Sequence, residues 1–543
     1  MTSTPDFAAR LRGHWRGSSV PVLLAAAVWL VFLAWLRPLT LPDEGRYAGV
    51  AWEMLRSGDL SVPLLDGMPY FHKPPLFYWL AALSMRVFGL SEIAARLPSL
   101  LIAWAAIAAM YAFVRRYRDG AAARLAVLVL ATTPLFYGGA QFANLDMSVA
   151  GMISLCVLAG ADTVLRRAHG RAWRSMAVAT AVLAALAVLA KGLIGIVLPG
   201  GALALWLLWR RDGRGFLALL WPPAIVAFAV VGVPWFWMMQ QRFPGFFHYF
   251  FVYQHFQRFA EAGFNNAQPF WFYLPVLAGL ALPWSLWSGG MFRRRFWCAD
   301  DADGLRRLMA VWLGVVLVFF SLPASKLVGY ILPALPPLAF LVGEVLRDAR
   351  QRATSELPPG RLVVVSLGVA AVVCVLAVSI AASRPRGSAW TIAPQVAARM
   401  QPGDTTVSLH AYPFDLGFYT KSRTPFWVVD DWDSPNIAKR DNWRKELYDA
   451  GEFDPKVAQE VLVTTPVLRK RLCSAQPGAR FWVWGELGDE NTYPGLSGVH
   501  PQFVEGRRRV WLLEGGPDLR QSVCGGTPTA GSPGTSAPPV PAG

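Results

Sequence analysis

Residues 41–80 read LPDEGRYAGV AWEMLRSGDL SVPLLDGMPY FHKPPLFYWL, so Asp43 and Glu44 follow directly on an apolar run of membrane-span length, and His72 and Lys73 lie in the same stretch. Charges that close to a bilayer belong either to a solvated loop or to a site for a charged, lipid-borne molecule. A carboxylate such as Asp43, at the mouth of a cavity, can take a proton, hold a cation or orient a hydroxyl or amine. The Asp43–Glu44 pair also suits the first turn of a helix over GRYAGVAWEMLRSG, where acids complement the helix dipole. Lys73 precedes two prolines, which set the turn after it. It reads either as a lysine snorkelling to the interface or as a cation for a lipid phosphate at headgroup depth.

The same two-sided reading applies further along. Asp146, in QFANLDMSVAG, lies in a turn between apolar runs, where a carboxylate must be solvated or paired, and a cavity-lining role is favoured. Lys191, in AVLAKGLIGIVLPG, marks the turn between two spans or faces a phosphate. The stretch 240–275 is dense in aromatics, as expected of an interfacial belt, and carries His248, His255, Arg258 and Glu261. His255 and Arg258 share a face if that stretch is helical. His72 and His255 together could ligate zinc, the only cofactor the residues suggest. In SLPASKLVGYILPALPPL, Lys326 and Tyr330 stand four apart at the end of a span. They are either an anchor pair or a cation and a hydroxyl over the same cavity.

Positioning such residues needs a membrane scaffold. Of 543 residues, 54% are hydrophobic and only 16% charged, against roughly a quarter charged in soluble chains. Apolar runs fall near 20–36, 93–114, 122–140, 147–165, 175–190, 192–209, 216–238, 270–291, 308–322, 327–345 and 362–382. The expected fold is a polytopic α-helical membrane protein of eleven spans, or another odd number up to thirteen. The segment 76–90 is short, carries Arg86 and reads as an interfacial helix. The first run follows a basic arm with no convincing cleavage site, and is expected to remain as a span. The net charge of +16 comes mostly from arginine clusters between spans, at 10–16, 115–124, 166–174, 210–214, 293–295 and 347–352. With 76–90 lying flat, all fall on one side, assigned as cytoplasmic. This placement argues against nucleic acid and leaves anionic membrane lipids as a secondary partner. The segments 37–92, 140–147, 240–269 and 322–327 then share the outer, periplasmic face.

The membrane part is expected to span 1–382. From 383 to 526 short strand-like and helix-like pieces alternate (TTVSLHAYPFDLGFYT, TPFWVVDD, PKVAQEVLVTT, ARFWVWGEL), which predicts a small α/β domain on the outer face. Residues 527–543 are rich in Pro, Gly, Ser and Thr and are expected to be disordered. Cys156 and Cys374 sit in apolar runs, and Cys298 in an arginine-rich loop. Cys473 and Cys524 can pair if their domain lies outside the cytoplasm, a point the sequence leaves open. No internal repeat is visible.

The order of these pieces resembles the GT-C glycosyltransferases of the protein-mannosyltransferase-like superfamily, with the lipid A aminoarabinose transferases nearest. The likeness covers about residues 15–345 and is carried by the acidic pair, YFHKPPLFYW, the outer-loop Asp, HYFFVYQHFQRFAEAGFNNAQPFWFYLPV and SKLVGYILPALPPLA. It implies an inverting transfer of 4-amino-4-deoxy-L-arabinose from undecaprenyl phosphate to a lipid A phosphate at the outer face of the inner membrane. Masking that phosphate would confer resistance to polymyxin and other cationic peptides. It implies catalytic roles for Asp43, Lys73 and Asp146, and substrate contacts for Arg258 and Tyr330; Glu44, Lys326 and Lys191 join these as candidate contacts. One departure is His72, where an acidic residue is expected before the motif lysine, which leaves a metal site there in question. Two other readings are a polyprenyl-linked transferase acting on protein hydroxyls and a transporter of lipid-linked sugars. The lack of a repeat and the clustering of charges at outer span ends count against the transporter.

Overall fold

The computed structural model describes residues 19–257, 266–298, 301, 303–351, 359–383, 387–437 and 440–524. The chain divides into two compact units. The first comprises residues 1–65, 69–390 and 413–419; the second comprises 66–68, 391–412 and 420–543. The expected tail, 527–543, lies outside the described residues.

The first unit is helical. Six helices are long and apolar enough to cross a membrane: Glu92–Tyr117, Leu145–Ala168, Arg174–Lys191, Pro222–Arg242, Val328–Gln351 and Gly360–Ser383. A seventh span counts if Gly120–Thr132 and Pro134–Ala140, bent by 67° at their junction, are taken together. The run at 270–291 is not one helix: Tyr273–Leu280 gives way at Pro283 to a 3-10 stretch, Trp284–Phe292. The runs at 20–36, 192–209 and 308–322 form helices of 12, 17 and 17 residues. Leu76–Phe88 has 13 residues, too few to cross alone.

Local sequence explains where the principal helices start. Ser91 accepts from Ala94 N at the start of Glu92–Tyr117. Asp119 accepts from Ala121 N and Ala122 N, both at 2.8 Å. Asn144 accepts from Asp146 N (3.0 Å) and Met147 N (3.3 Å) and so starts Leu145–Ala168, which is almost wholly buried. These caps satisfy donors that a helix N-terminus leaves orphaned.

The two ends of Leu145–Ala168 differ in character. At its C-terminal end Asp162 accepts from Arg116 (2.7 Å) and Arg166 (2.7 Å). Nearby Glu344 pairs with Arg306 at 2.9 Å, and Arg347 with Asp119 at 2.6 Å. Asp146 stands at the opposite end, about 24 Å away at 1.5 Å rise per residue. The arginine-rich loops thus gather at one end of the bundle and Asp146 at the other.

The second unit is a six-stranded mixed sheet with helices. The strand order is Leu462–Val463, Trp427–Val429, Thr405–Leu409, Arg480–Glu486, Arg508–Glu514, Phe503–Glu505. The first four strands are parallel and the last two pair antiparallel. Val407, Val429, Val463, Val483 and Trp511 share one buried cluster with Leu468 and Leu519 of the covering helices. Cys473 and Cys524 form a disulfide with Cα atoms 6.0 Å apart, which answers the question left open by the sequence.

Candidate active site

The helix Asp43–Ser57 begins at a buried charged clamp. Glu44 and Arg96 are both 0% exposed. Arg96 donates Nε to Glu44 Oε1 at 2.9 Å and Nη2 to Oε2 at 3.1 Å. Its other bonds run to the carbonyls of Ala34, Arg37 and Pro38 at 2.8–2.9 Å. Arg37 also pairs with Glu44, which further accepts from Thr40 N (2.9 Å) and Ala143 N (2.8 Å). Burial alone would raise the Glu44 carboxyl, but Arg96 and Arg37 outweigh it and hold it at about 2. Glu44 was expected to touch substrate; it is instead an enclosed structural carboxylate, already occupied by two guanidinium groups and two main-chain donors.

Its neighbour Asp43 points elsewhere. The Asp43 side chain is 43% exposed and accepts from Arg46 Nη2 at 3.2 Å. Arg46 lies over the rings of Tyr47 (5.6 Å) and Phe414 (4.9 Å). Tyr47 in turn meets the rings of Phe77 and Tyr78, each at 6.2 Å, at the start of Leu76–Phe88. That helix begins three residues after Lys73, which is half-buried on the preceding turn. Burial, followed by the Asp43 carboxylate, holds the Tyr47 phenol well above its usual range, and Asp146 adds to the effect. Both acids therefore act on one phenol.

Asp146 is paired. Lys191 donates to its Oδ1, and the Lys191 ammonium lies 4.4 Å from the centroid of the Tyr330 ring. The charges acting on Lys191 come first from Asp146, then Tyr330, and also from Asp43. Tyr330 is held by the ring of Phe320 at 5.3 Å. Its neighbour Gly329 is required for this approach, because a Cβ there would collide with Asp146 Oδ2. The structure thus gathers Asp43, Asp146, Lys191 and Tyr330 from four separate elements into one electrostatic neighbourhood. Such a group can bind an anion at a cation and orient hydroxyl or amino groups at carboxylates.

The remaining expected residues fall elsewhere. Lys326 is 3% exposed. It donates to Gln268 O at 2.9 Å and to Pro323 O, and its main-chain N bonds Asn266 O at 3.0 Å. It anchors one loop to another rather than facing substrate, because main-chain carbonyls already hold its ammonium. His72 is buried, stacked on Tyr70 at 4.6 Å and tilted against Tyr249 at 5.9 Å. His255 lies on the π-helix His248–Gln257, but its side chain is outside the described residues, as is Arg258. Among the described residues no three His, Cys, Asp or Glu side chains gather as zinc needs, and the expected pair of His72 with His255 includes a side chain outside the described residues.

Sequence reasoning missed Arg37, Arg46, Tyr47, Arg96 and Gly329. Arg96 carried a usable signal: an arginine inside an apolar run demands an acidic partner.

The chain is similar to known proteins along much of its length. A family model described as dolichyl-phosphate-mannose-protein mannosyltransferase matches residues 72–237. The undecaprenyl phosphate-alpha-4-amino-4-deoxy-L-arabinose arabinosyl transferase of Erwinia tasmaniensis is 32% identical over 63% of this chain and 62% of its own length. Its namesake from Pseudomonas aeruginosa is 33% identical over 60% of this chain and 59% of its own. The chain therefore spans less than two thirds of the length of these relatives. ArnT from Cupriavidus metallidurans, solved with undecaprenyl phosphate bound, superposes with a TM-score of 0.75 at 25% identity, covering 92% of this chain and 98% of that one.

Proposed function

We propose that this chain, a polytopic membrane protein with the GT-C fold, transfers 4-amino-4-deoxy-L-arabinose from undecaprenyl phosphate to a phosphate of lipid A. The observation that carries the reading is the extended likeness to ArnT, a protein solved with undecaprenyl phosphate bound. The reaction is one displacement. A lipid A phosphate oxygen attacks the anomeric carbon, the bond from that carbon to the undecaprenyl phosphate oxygen breaks, and undecaprenyl phosphate leaves with inverted configuration at the sugar.

The chain's own residues are suited to this. Both leaving group and nucleophile are anionic phosphates, so cations dominate the chemistry. Lys73, on the turn before Leu76–Phe88, balances charge developing on the leaving phosphate. Asp146 keeps the Lys191 ammonium over Tyr330, where it can serve a second phosphate. An anionic acceptor needs no strong base, so Asp43 orients the sugar or the acceptor. The site faces the periplasm of the inner membrane, with the arginine-rich ends cytoplasmic. The Cys473–Cys524 disulfide supports an oxidising compartment for the second unit. Masked lipid A phosphates carry less negative charge and so attract less of the cationic polymyxin to the surface.

The test is mass spectrometry of lipid A from cells producing wild type, Asp43→Ala or Lys73→Ala. Aminoarabinose addition is expected only with wild type. Equal addition in all three would remove these residues from the mechanism, and none in any would point to a different acceptor.

A further inference from the structure

We propose that Pro413–Tyr419 is a strap that fixes the direction of Arg46 and, through it, of the Asp43 carboxylate. The segment lies late in the chain yet belongs to the first unit. Helix Asp43–Ser57 carries glycines at 45 and 49, one turn apart, on the face that meets it. A Cβ built on Gly49 would stand 2.9 Å from Phe414 O, and one on Gly45 would stand 3.1 Å from Asp415 N. Main-chain atoms cannot swing aside as a side chain does, so the notch accepts the strap only because both residues lack a Cβ.

The strap is tied down at several points. Asp415, 0% exposed, accepts from Ser388 Oγ at 2.6 Å and Ala389 N at 3.0 Å. The Tyr419 hydroxyl accepts from Leu39 N at 2.9 Å and donates to Glu92 at 3.1 Å. Leu39 lies in the same loop that Arg96 clamps through the neighbouring Pro38 carbonyl. Phe414 reaches the site's charges: its ring meets the Arg46 guanidinium at 4.9 Å. Arg46 in turn donates to Asp43. Phe414 is therefore a positioning residue: it touches no reacting atom but holds the cation that holds the acid. Its effect on turnover rests on the transferase reading; its effect on the helix does not.

Two measurements on full-length protein in lipid vesicles separate these. The first is hydrogen exchange over residues 43–57. Phe414→Leu and Gly49→Ala should each accelerate it, with other helices of the bundle unchanged. The second is transfer from undecaprenyl-phosphate-linked aminoarabinose to lipid A. Phe414→Leu should lower kcat about fivefold, as expected for one partly desolvated cation–π contact. Donor KM should stay within about twofold, and Phe414→Tyr, which keeps an aromatic face, should restore wild-type turnover. Unchanged exchange in both variants overturns the strap whatever the activity. Wild-type kcat in Phe414→Leu overturns its positioning role. If wild type itself does not turn over this donor, the transferase reading fails while the exchange result still decides the strap.

Discussion

Replacing Glu44 by Gln preserves shape and removes one charge, and it separates two roles cleanly. A substrate contact would lose activity and keep stability; a buried structural charge would lose stability first. The size of the loss can be reached by two routes. The carboxyl sits at about 2 against an ordinary 4.5, a gap that corresponds to about 3 kcal/mol at 1.36 kcal/mol per pH unit. Independently, removing one partner of a buried ion pair costs about 3–5 kcal/mol. Because the folded value is depressed, this stabilisation is complete above about pH 4.5 and fades as pH falls toward about 2. At neutral pH Glu44→Gln leaves Arg37 and Arg96 buried together without a counter-charge. The apparent melting temperature in detergent should fall by several degrees, and Arg96→Met added to Glu44→Gln should recover part of it by removing one of two uncompensated cations. Thermal unfolding of wild type, both single variants and the double variant checks this. A Glu44→Gln protein that melts like wild type but fails to transfer sugar would refute the reasoning, and so would simple additivity in the double variant.

Asp146→Asn and Lys191→Met should each reduce transfer by about tenfold or more, and the double variant little further, because they act as one unit; single-turnover kinetics would show it. Gly329→Ala should impair turnover with wild-type expression, since its Cβ would displace the Asp146 carboxylate; wild-type kcat would refute this. Cys473→Ser should destabilise the second unit by about 4 kcal/mol, as estimated for closing a loop of 51 residues. Denaturation with and without reductant should give the same difference.

The membrane scaffold was legible because spans need long apolar runs, and the polarity of the bundle because arginines cluster at one set of span ends. Glu44 was misread because adjacent acids look alike in sequence. Its partners lie 7 and 52 residues away and only packing brings them together. Lys326 was misread for a related reason: the carbonyls that hold it belong to no particular residue type. Lys191 looked like a turn marker until helix packing set it against Asp146. Several of the apolar runs are carried by shorter or broken helices, such as Tyr273–Leu280 followed by the 3-10 stretch Trp284–Phe292, and breaks of that kind do not show in hydropathy. In the second unit alternating short segments announced an α/β fold, but strand order and the disulfide depend on long-range pairing that such alternation does not encode.

The buried ion pairs bear on how the chain is made. Arg96 would be expensive for a nascent helix to carry into lipid alone, by about 2.5 kcal/mol or more. Its neutralising acid precedes it by 52 residues, and the acid that neutralises Lys191 precedes that lysine by 45. In both cases the ribosome delivers the carboxylate first, so each cation emerges to find its counterpart already synthesised. The buried Arg37 and Arg306 run the other way, preceding Glu44 by 7 residues and Glu344 by 38, so order of synthesis spares Arg96 and Lys191 a wait that these two cations must make.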